Sequence, residues 1–272
     1  PDKVTEAVKV ALQLGYRHID AAYVYENEQE VGEGIRQSGV PRDQIFITSK
    51  LWNTHHDPKD VPGALDATLK NLGVDYLDLY LMHWPVSFPN TGKLFPEGYH
   101  DAGIDYVDTW KAMEKLLETG KVRAIGMSNF TVAKLKRVLE AGSVVPAVNQ
   151  VELHPYLPQD DLLKFNNEHG IITTAYSPLG STAKFNLRED DVIVEIANKH
   201  NATPAQVLLA WGVQRGTVVI PKSVSPDRIK ANFEQIVLEN DDMTKINSIT
   251  RRERFCDPKD FWGQYWERVF SE

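Results

Sequence analysis

Seven short apolar runs punctuate the chain, each followed by a polar loop and then an amphipathic stretch. The runs cover residues 16–21, 45–50, 77–83, 122–128, 147–152, 172–177 and 218–222. Each is five to seven residues long and mostly apolar, as parallel strands covered on both faces should be. The stretches between them carry helical spacing. Residues 64–72 place Leu65, Leu69 and Leu72 on one face. Residues 109–117 do the same with Trp110, Met113, Leu116 and Leu117, and residues 131–139 with Leu135, Val138 and Leu139. Gly73, Gly120, Gly142 and Gly170 follow or close such stretches, as helix-end glycines do.

This strand–helix alternation predicts an α/β domain with a parallel sheet. A doubly wound dinucleotide sheet needs G-x-G-x-x-G after its first strand, and no stretch matches it. Gly32-Glu33-Gly34 fails at the next required glycine. An eight-stranded (β/α)8 barrel fits better, with seven strands visible. The chain opens on a helical stretch, residues 5–14, so the N-terminal hairpin and first barrel strand are expected before Pro1. No linker, repeat or low-complexity tract divides residues 1–272, and a single domain is expected. Two segments break the rhythm: an aromatic and proline-rich loop over 84–108, and a tail over 251–272 with Phe255, Phe261, Trp262, Tyr265, Trp266 and Phe270. Long loops in compact domains are usually functional.

Charge narrows the partners. The 272 residues carry 30 Lys and Arg against 38 Asp and Glu, a net charge of −8. A general binder of nucleic acid or anionic membrane would be basic, so neither is expected, and an anionic ligand needs a local basic cluster. No apolar run approaches the ~18 residues of a membrane span. The single cysteine, Cys256, cannot form an internal disulfide, which fits a reducing compartment. A cytoplasmic monomer acting on a small molecule is the expectation.

In a barrel the reactive groups stand at the C-terminal strand ends. The first three visible strands end in Asp20, Lys50 and His83, and Tyr25 follows Asp20 closely enough to fold over the same mouth. Singly, each has a structural explanation: a helix cap, a snorkelling lysine, a satisfied core histidine. Together they make a chemical set. A tyrosine, with a usual pKa of about 10, is a weak acid near neutrality. An ammonium beside a phenol favours the phenolate, and a carboxylate keeps the ammonium charged and oriented. A histidine can donate a hydrogen bond to a carbonyl oxygen and fix its position. Such a set suits carbonyl reduction when another group delivers hydride.

The chain resembles the aldo-keto reductase family over essentially its whole length. The matching stretches are GYRHIDAAYVYENEQEVG, ITSKLWN, LDLYLMHWP, GKVRAIGMSNF, NQVELHPY, YSPLGS and VVIPKS, in the family's order. The resemblance implies a TIM barrel that binds NADPH in extended form. It implies that Tyr25 is the proton donor, that Lys50 and Asp20 tune it, and that His83 orients the carbonyl. Ser128, Asn129 and Gln150 would hold the nicotinamide carboxamide and Tyr176 would stack on the ring. Ser177, Leu179 and Ser181 would lie along the pyrophosphate. Lys222, Ser223 and Arg228 would hold the 2′-phosphate, and Asn232 the adenine. Trp52, Trp84, Phe88 and Trp262, with Trp266 as an alternative to Trp262, would wall the substrate pocket.

Two departures bear on the cofactor. Thr182 and Ala183 stand where many members have Pro-Asp, and Ala231 precedes Asn232 where an acidic residue is common. The implied activity is NADPH-dependent reduction of small or sugar aldehydes and some ketones, reversible as an NADP-dependent alcohol or glycerol dehydrogenase. Microbial and fungal members look nearest. Two alternatives compete: a phosphate-binding barrel of other chemistry, and a non-catalytic, NADPH-binding regulatory barrel. The first has no use for SNF, NQVE and YSPLGS. The second would not need all four catalytic positions filled.

Overall fold

The computed structural model describes residues 2–181 and 185–271. Its seven strands are β1 (His18–Asp20), β2 (Phe46–Leu51), β3 (Leu77–Met82), β4 (Val122–Ser128), β5 (Val148–Glu152), β6 (Ile172–Tyr176) and β7 (Val218–Val219). They form one parallel sheet in chain order, β1 to β7. All seven expected strands form, though β1 and β7 are shorter than the apolar runs that announced them. Among the described residues β1 pairs only with β2, and β7 only with β6. Seven strands therefore curl as a TIM-type barrel, open between β1 and β7.

Helices cover the outside: α1 (Asp2–Leu14), α2 (Glu28–Ser38), α3 (Val61–Leu72), α4 (Tyr106–Leu116), α5 (Val132–Ala141) and α6 (Asp160–Glu168). They continue as α7 (Asp191–Lys199), α8 (Pro204–Gln214), α9 (Pro226–Phe233), α10 (Asn240–Asn247) and α11 (Pro258–Trp262). The apolar faces read from the sequence point inward: Leu65, Leu72, Trp110, Met113, Leu135 and Val138 are all fully buried. Gly73, Gly120 and Gly170 adopt the left-handed conformation expected after a helix. Gly142 does not; it ends α5 in extended conformation at φ −88°. The space explains its identity, because a Cβ at Gly142 would meet Val138 O at 2.9 Å and the Trp110 indole at 3.0 Å.

Alternation along β3 separates the two sides of the sheet. Tyr80 and Met82 join the large cluster under the helices, while Leu79 and Leu81 meet Val148 in a second cluster. The failed dinucleotide motif also finds its reason. Gly32 lets α2 lie against the backbone of Leu72, and Gly34 does the same against Thr5 of α1. Where β1 and β7 do not pair, α1 and α9 meet instead. The Tyr16 ring lies 4.6 Å from that of Phe233, and its hydroxyl donates to Ile229 O at 2.8 Å. No described helix is long and apolar enough to cross a membrane.

Candidate active site

Strand direction puts the chemistry at one end. Asp20 closes β1, Lys50 lies one residue inside the end of β2, and His83 follows β3. The register pairs Asp20 with Thr48 and Lys50 with Leu81, so Lys50 stands two residues beyond Asp20, His83 two beyond Lys50, and all three share one face of the sheet toward one mouth. The Lys50 Nζ donates to Asp20 Oδ2 at 2.6 Å and to Ala21 O at 2.8 Å, and the residue is fully buried. Burial alone would lower its pKa. Asp20 and Tyr25 together outweigh that and raise it, so Lys50 stays an ammonium. Its Nζ lies 5.2 Å from the centre of the Tyr25 ring. Tyr25 ends a 3₁₀ turn, Tyr23–Tyr25, and is half exposed over the mouth.

His83 is buried against aromatic rings. Its centroid lies 5.4 Å from Trp52, 6.0 Å from Tyr25 and 6.3 Å from Trp84, the last stacked. Burial, then Lys50 and His56, hold its pKa well below the usual 6.5. A neutral imidazole keeps one N–H to give and one nitrogen to accept.

The next three strands add an amide cluster. Gln150 donates through Nε2 to Asp20 Oδ1 at 2.8 Å, so Asp20 is held between Lys50 and Gln150. Ser128 Oγ donates to Gln150 O at 2.8 Å. Asn129 Nδ2 donates to His83 O at 3.0 Å, while its Oδ1 accepts from the Tyr176 hydroxyl at 2.7 Å. Asn129 and Ser177 both take left-handed backbone conformations, at φ 64° and 47°. Such conformations cost a non-glycine residue about 1–3 kcal/mol and gather at functional sites. The structure thus brings Ser128, Asn129, Gln150 and Tyr176 together, but their polar atoms are largely engaged with one another.

A second region lies beyond β7. Leu179, Arg188, Thr203, Pro204, Ala205, Lys222, Ser223, Val224, Arg228, Ala231 and Asn232 line a cleft of about 450 Å³. Ser225 caps α9 here, and Ser223 Oγ accepts from Ser225 N at 3.1 Å. Leu179 lines this cleft, whereas Ser177 and Ser181 do not. The departure at Thr182 and Ala183 lies outside the described residues, while Ser181 is described and half-buried.

The aromatic residues expected as pocket walls form a compact cluster of their own. Trp52, Trp84, Phe88, Trp262, Trp266 and Val269 are buried together. Trp262 reaches Trp84 and Phe88 at 5.1 Å each and Trp52 at 6.1 Å. Of the two tail tryptophans offered as alternatives, both join, whereas Phe261 and Tyr265 stay exposed.

Glu152 was missed. Fully buried at the end of β5, it accepts from Phe255 N at 2.9 Å, Cys256 N at 2.7 Å and His154 Nε2 at 2.7 Å. These contacts outweigh burial and hold its carboxyl below the usual range. It fastens the tail to the mouth. The only sequence signal was an acidic residue amid apolar neighbours in NQVE, and its two backbone partners come from 103 and 104 residues away. Arg188, followed directly by Glu189, Asp190 and Asp191, gave no signal at all.

Comparison with known proteins identifies the family. The family model described as the aldo/keto reductase family matches residues 1–251. A glycerol 2-dehydrogenase (NADP(+)) of Saccharomyces cerevisiae is 48% identical over 90% of this chain and 82% of its own length. An aldehyde reductase of the same yeast is 45% identical over 95% of this chain and 87% of its own. The solved aldose reductase of Schistosoma japonicum superposes with a TM-score of 0.93 at 42% identity, covering all of this chain and 92% of that one. With a family match across most of its length and relatives at this identity, the chain belongs to the aldo/keto reductase family of oxidoreductases.

Proposed function

We propose that the protein reduces aldehydes to alcohols with NADPH, and runs the reverse oxidation, with Tyr25 as proton donor. The observation that carries this is the buried Lys50–Asp20 pair beneath a half-exposed Tyr25, with a neutral His83 ring 6.0 Å from the tyrosine. The donor set fits the cofactor. Three cations and a serine-capped helix line one cleft without a carboxylate among them, as an adenosine phosphate requires. Lys222, Ser223 and Arg228 would take the 2′-phosphate and Asn232 the adenine. Ser177, Leu179 and Ser181 would follow the chain between the cleft and the mouth. At the mouth, Ser128, Asn129 and Gln150 would meet the carboxamide and Tyr176 the ring. Gln150 spends its Nε2 on Asp20, which leaves its amide oxygen to accept from the carboxamide. Bound NADPH supplies the hydride.

The chain's own groups manage the oxygen. His83, neutral because it is buried, donates one N–H to the carbonyl oxygen and orients it. Negative charge develops on that oxygen, and Tyr25 passes its phenolic proton there. The Lys50 ammonium stabilises the phenolate left behind, and Asp20, held by Gln150, keeps Lys50 aimed. Trp52, Trp84, Phe88 and Trp262 wall the substrate side and exclude water, which strengthens each of these interactions. Relatives named aldehyde reductase, aldose reductase and glycerol 2-dehydrogenase support small and sugar aldehydes as substrates, with glycerol in reverse.

The test is NADPH consumption with a panel including glyceraldehyde and aldopentoses, ranked by kcat/KM. Turnover with at least one is expected, and dependent on Tyr25. A protein that binds NADPH yet turns over none of the panel would instead be a regulatory barrel.

A further inference from the structure

The cleft beyond β7 is electrostatically unlike the rest of the molecule. Across the chain acids outnumber bases by 38 to 30, yet the charged residues lining this cleft are Arg188, Lys222 and Arg228, all basic. None of the three forms an ion pair among the described residues. They come from separate places. Lys222 follows β7, Arg228 stands in the first turn of α9, and Arg188 sits in a 3₁₀ turn, Leu187–Glu189, before α7. Gathering like charges without a counter-ion is unfavourable unless a ligand supplies it.

We infer that Arg188 is a third reader of the cofactor's 2′-phosphate and so a determinant of NADPH over NADH. This rests on the reading of the cleft as the adenosine end of the cofactor site. The local structure prepares Arg188 for the task. Leu187 beside it is fully buried and anchors the turn. Asn186 Oδ1 accepts from both the Arg188 backbone N at 3.2 Å and its Nε at 3.4 Å. The base of the guanidinium is thus tethered, while its two terminal amino groups have no partner among the described residues. That leaves a pre-aimed fork of the kind that grips phosphate through paired N–H groups. The nearby acids are employed elsewhere or absent from the cleft. Asp190 accepts from Tyr156 at 2.7 Å and from Val192 N at 3.0 Å, and Asp227, Glu189 and Asp191 do not line the cleft.

Charge selects which phosphate. A phosphate monoester carries roughly −1.5 to −2 near neutrality, whereas each phosphoryl group of the bridging pyrophosphate carries one negative charge. Three cations suit the monoester, and that group is the one NADH lacks.

The experiment measures dissociation constants of NADPH, NADH and 2′,5′-ADP by fluorescence and displacement, with no turnover required. Wild type, Arg188→Gln and Arg188→Lys are compared, and circular dichroism confirms their folding. The expectation for Arg188→Gln is NADPH and 2′,5′-ADP binding weakened by about tenfold or more, with NADH changed less than twofold. Arg188→Lys restores part of the loss, because charge returns without the fork. Equal losses for NADPH and NADH overturn the inference, since the residue would then read the shared pyrophosphate. Unchanged NADPH binding also overturns it. Should wild type bind neither dinucleotide, the cofactor reading fails and takes the inference with it; binding by wild type separates the two.

Discussion

At the scale of single residues, the mouth assigns different work to similar chemistry. Lys50 is kept charged despite full burial because Asp20 touches it, while His83 is kept neutral by burial, with Lys50 and His56 adding to the effect. Tyr25→Phe removes only the transferable proton. It is expected to leave the NADPH dissociation constant within about twofold, while kcat for aldehyde reduction falls below a tenth of wild type. More activity than that would remove Tyr25 from the mechanism. His83→Ala takes away a donor to a developing charge, a loss of about 2.7–4 kcal/mol in comparable sites. A fall in kcat/KM of about 10²–10³ is expected, with KM rising as well. Since His83 titrates well below 6.5, a plot of kcat/KM against pH should carry no limb from it between pH 6 and 8.

At the scale of elements, the tail matters as much as the strands. The end of β5 carries Gln150, which holds Asp20, and two residues later Glu152, which holds Phe255 and Cys256. One short strand therefore sets both the polar floor and the segment that leads to α11 and the tryptophan wall. Glu152→Ala would leave two part-buried backbone N–H groups and His154 Nε2 without their acceptor. Each donor so stranded costs about 1–3 kcal/mol. A lowered Tm is expected, along with faster proteolysis in the tail and a KM for aldehydes raised more than kcat is lowered. An equal Tm and an intact tail would show that Glu152 does not fasten it.

At the scale of the whole molecule, buried ionisable groups make the fold sensitive to acid. Burial, reinforced by His55, lowers the His56 pKa to about 3, and His83 is lowered too. Below about 6.5 the unfolded chain binds protons that the folded one refuses, so stability is complete above that value and falls as pH drops toward the folded pKa. Each such histidine removes up to about 1.4 kcal/mol per pH unit in that window. Asp242 acts lower. Burial opposes its ionisation, but Lys199, His200 and Glu239 N hold it at about 2, so its contribution is present above its usual value of 3.8 and lost on the way down to about 2. Urea unfolding at pH 7.5 and 5.0 should show a clear loss of stability in the first window. His56→Asn should reduce that loss, and an unchanged difference would exclude His56 as a source.

Pattern by itself determined the strand and helix order, because hydrophobic period reports burial wherever elements pack on one core. The seven strands, the faces of α3, α4 and α5, and the succession Asp20, Lys50, His83 were all legible this way. So were the motifs that place the family, since local stretches such as SNF and NQVE carry their own spacing. Closure of the helical ring by Tyr16 and Phe233 was not legible, nor that Trp262 and Trp266 would both, rather than one alone, join Trp52, Trp84 and Phe88. These depend on which distant surfaces meet. The same holds for Glu152, whose tail partners Phe255 and Cys256 lie more than a hundred residues away, and for Arg188, one charged residue among many until the fold carries it to Lys222 and Arg228. A side chain's environment is made by contacts remote in sequence, and only the tertiary structure decides which groups are buried, paired or left free to meet a ligand.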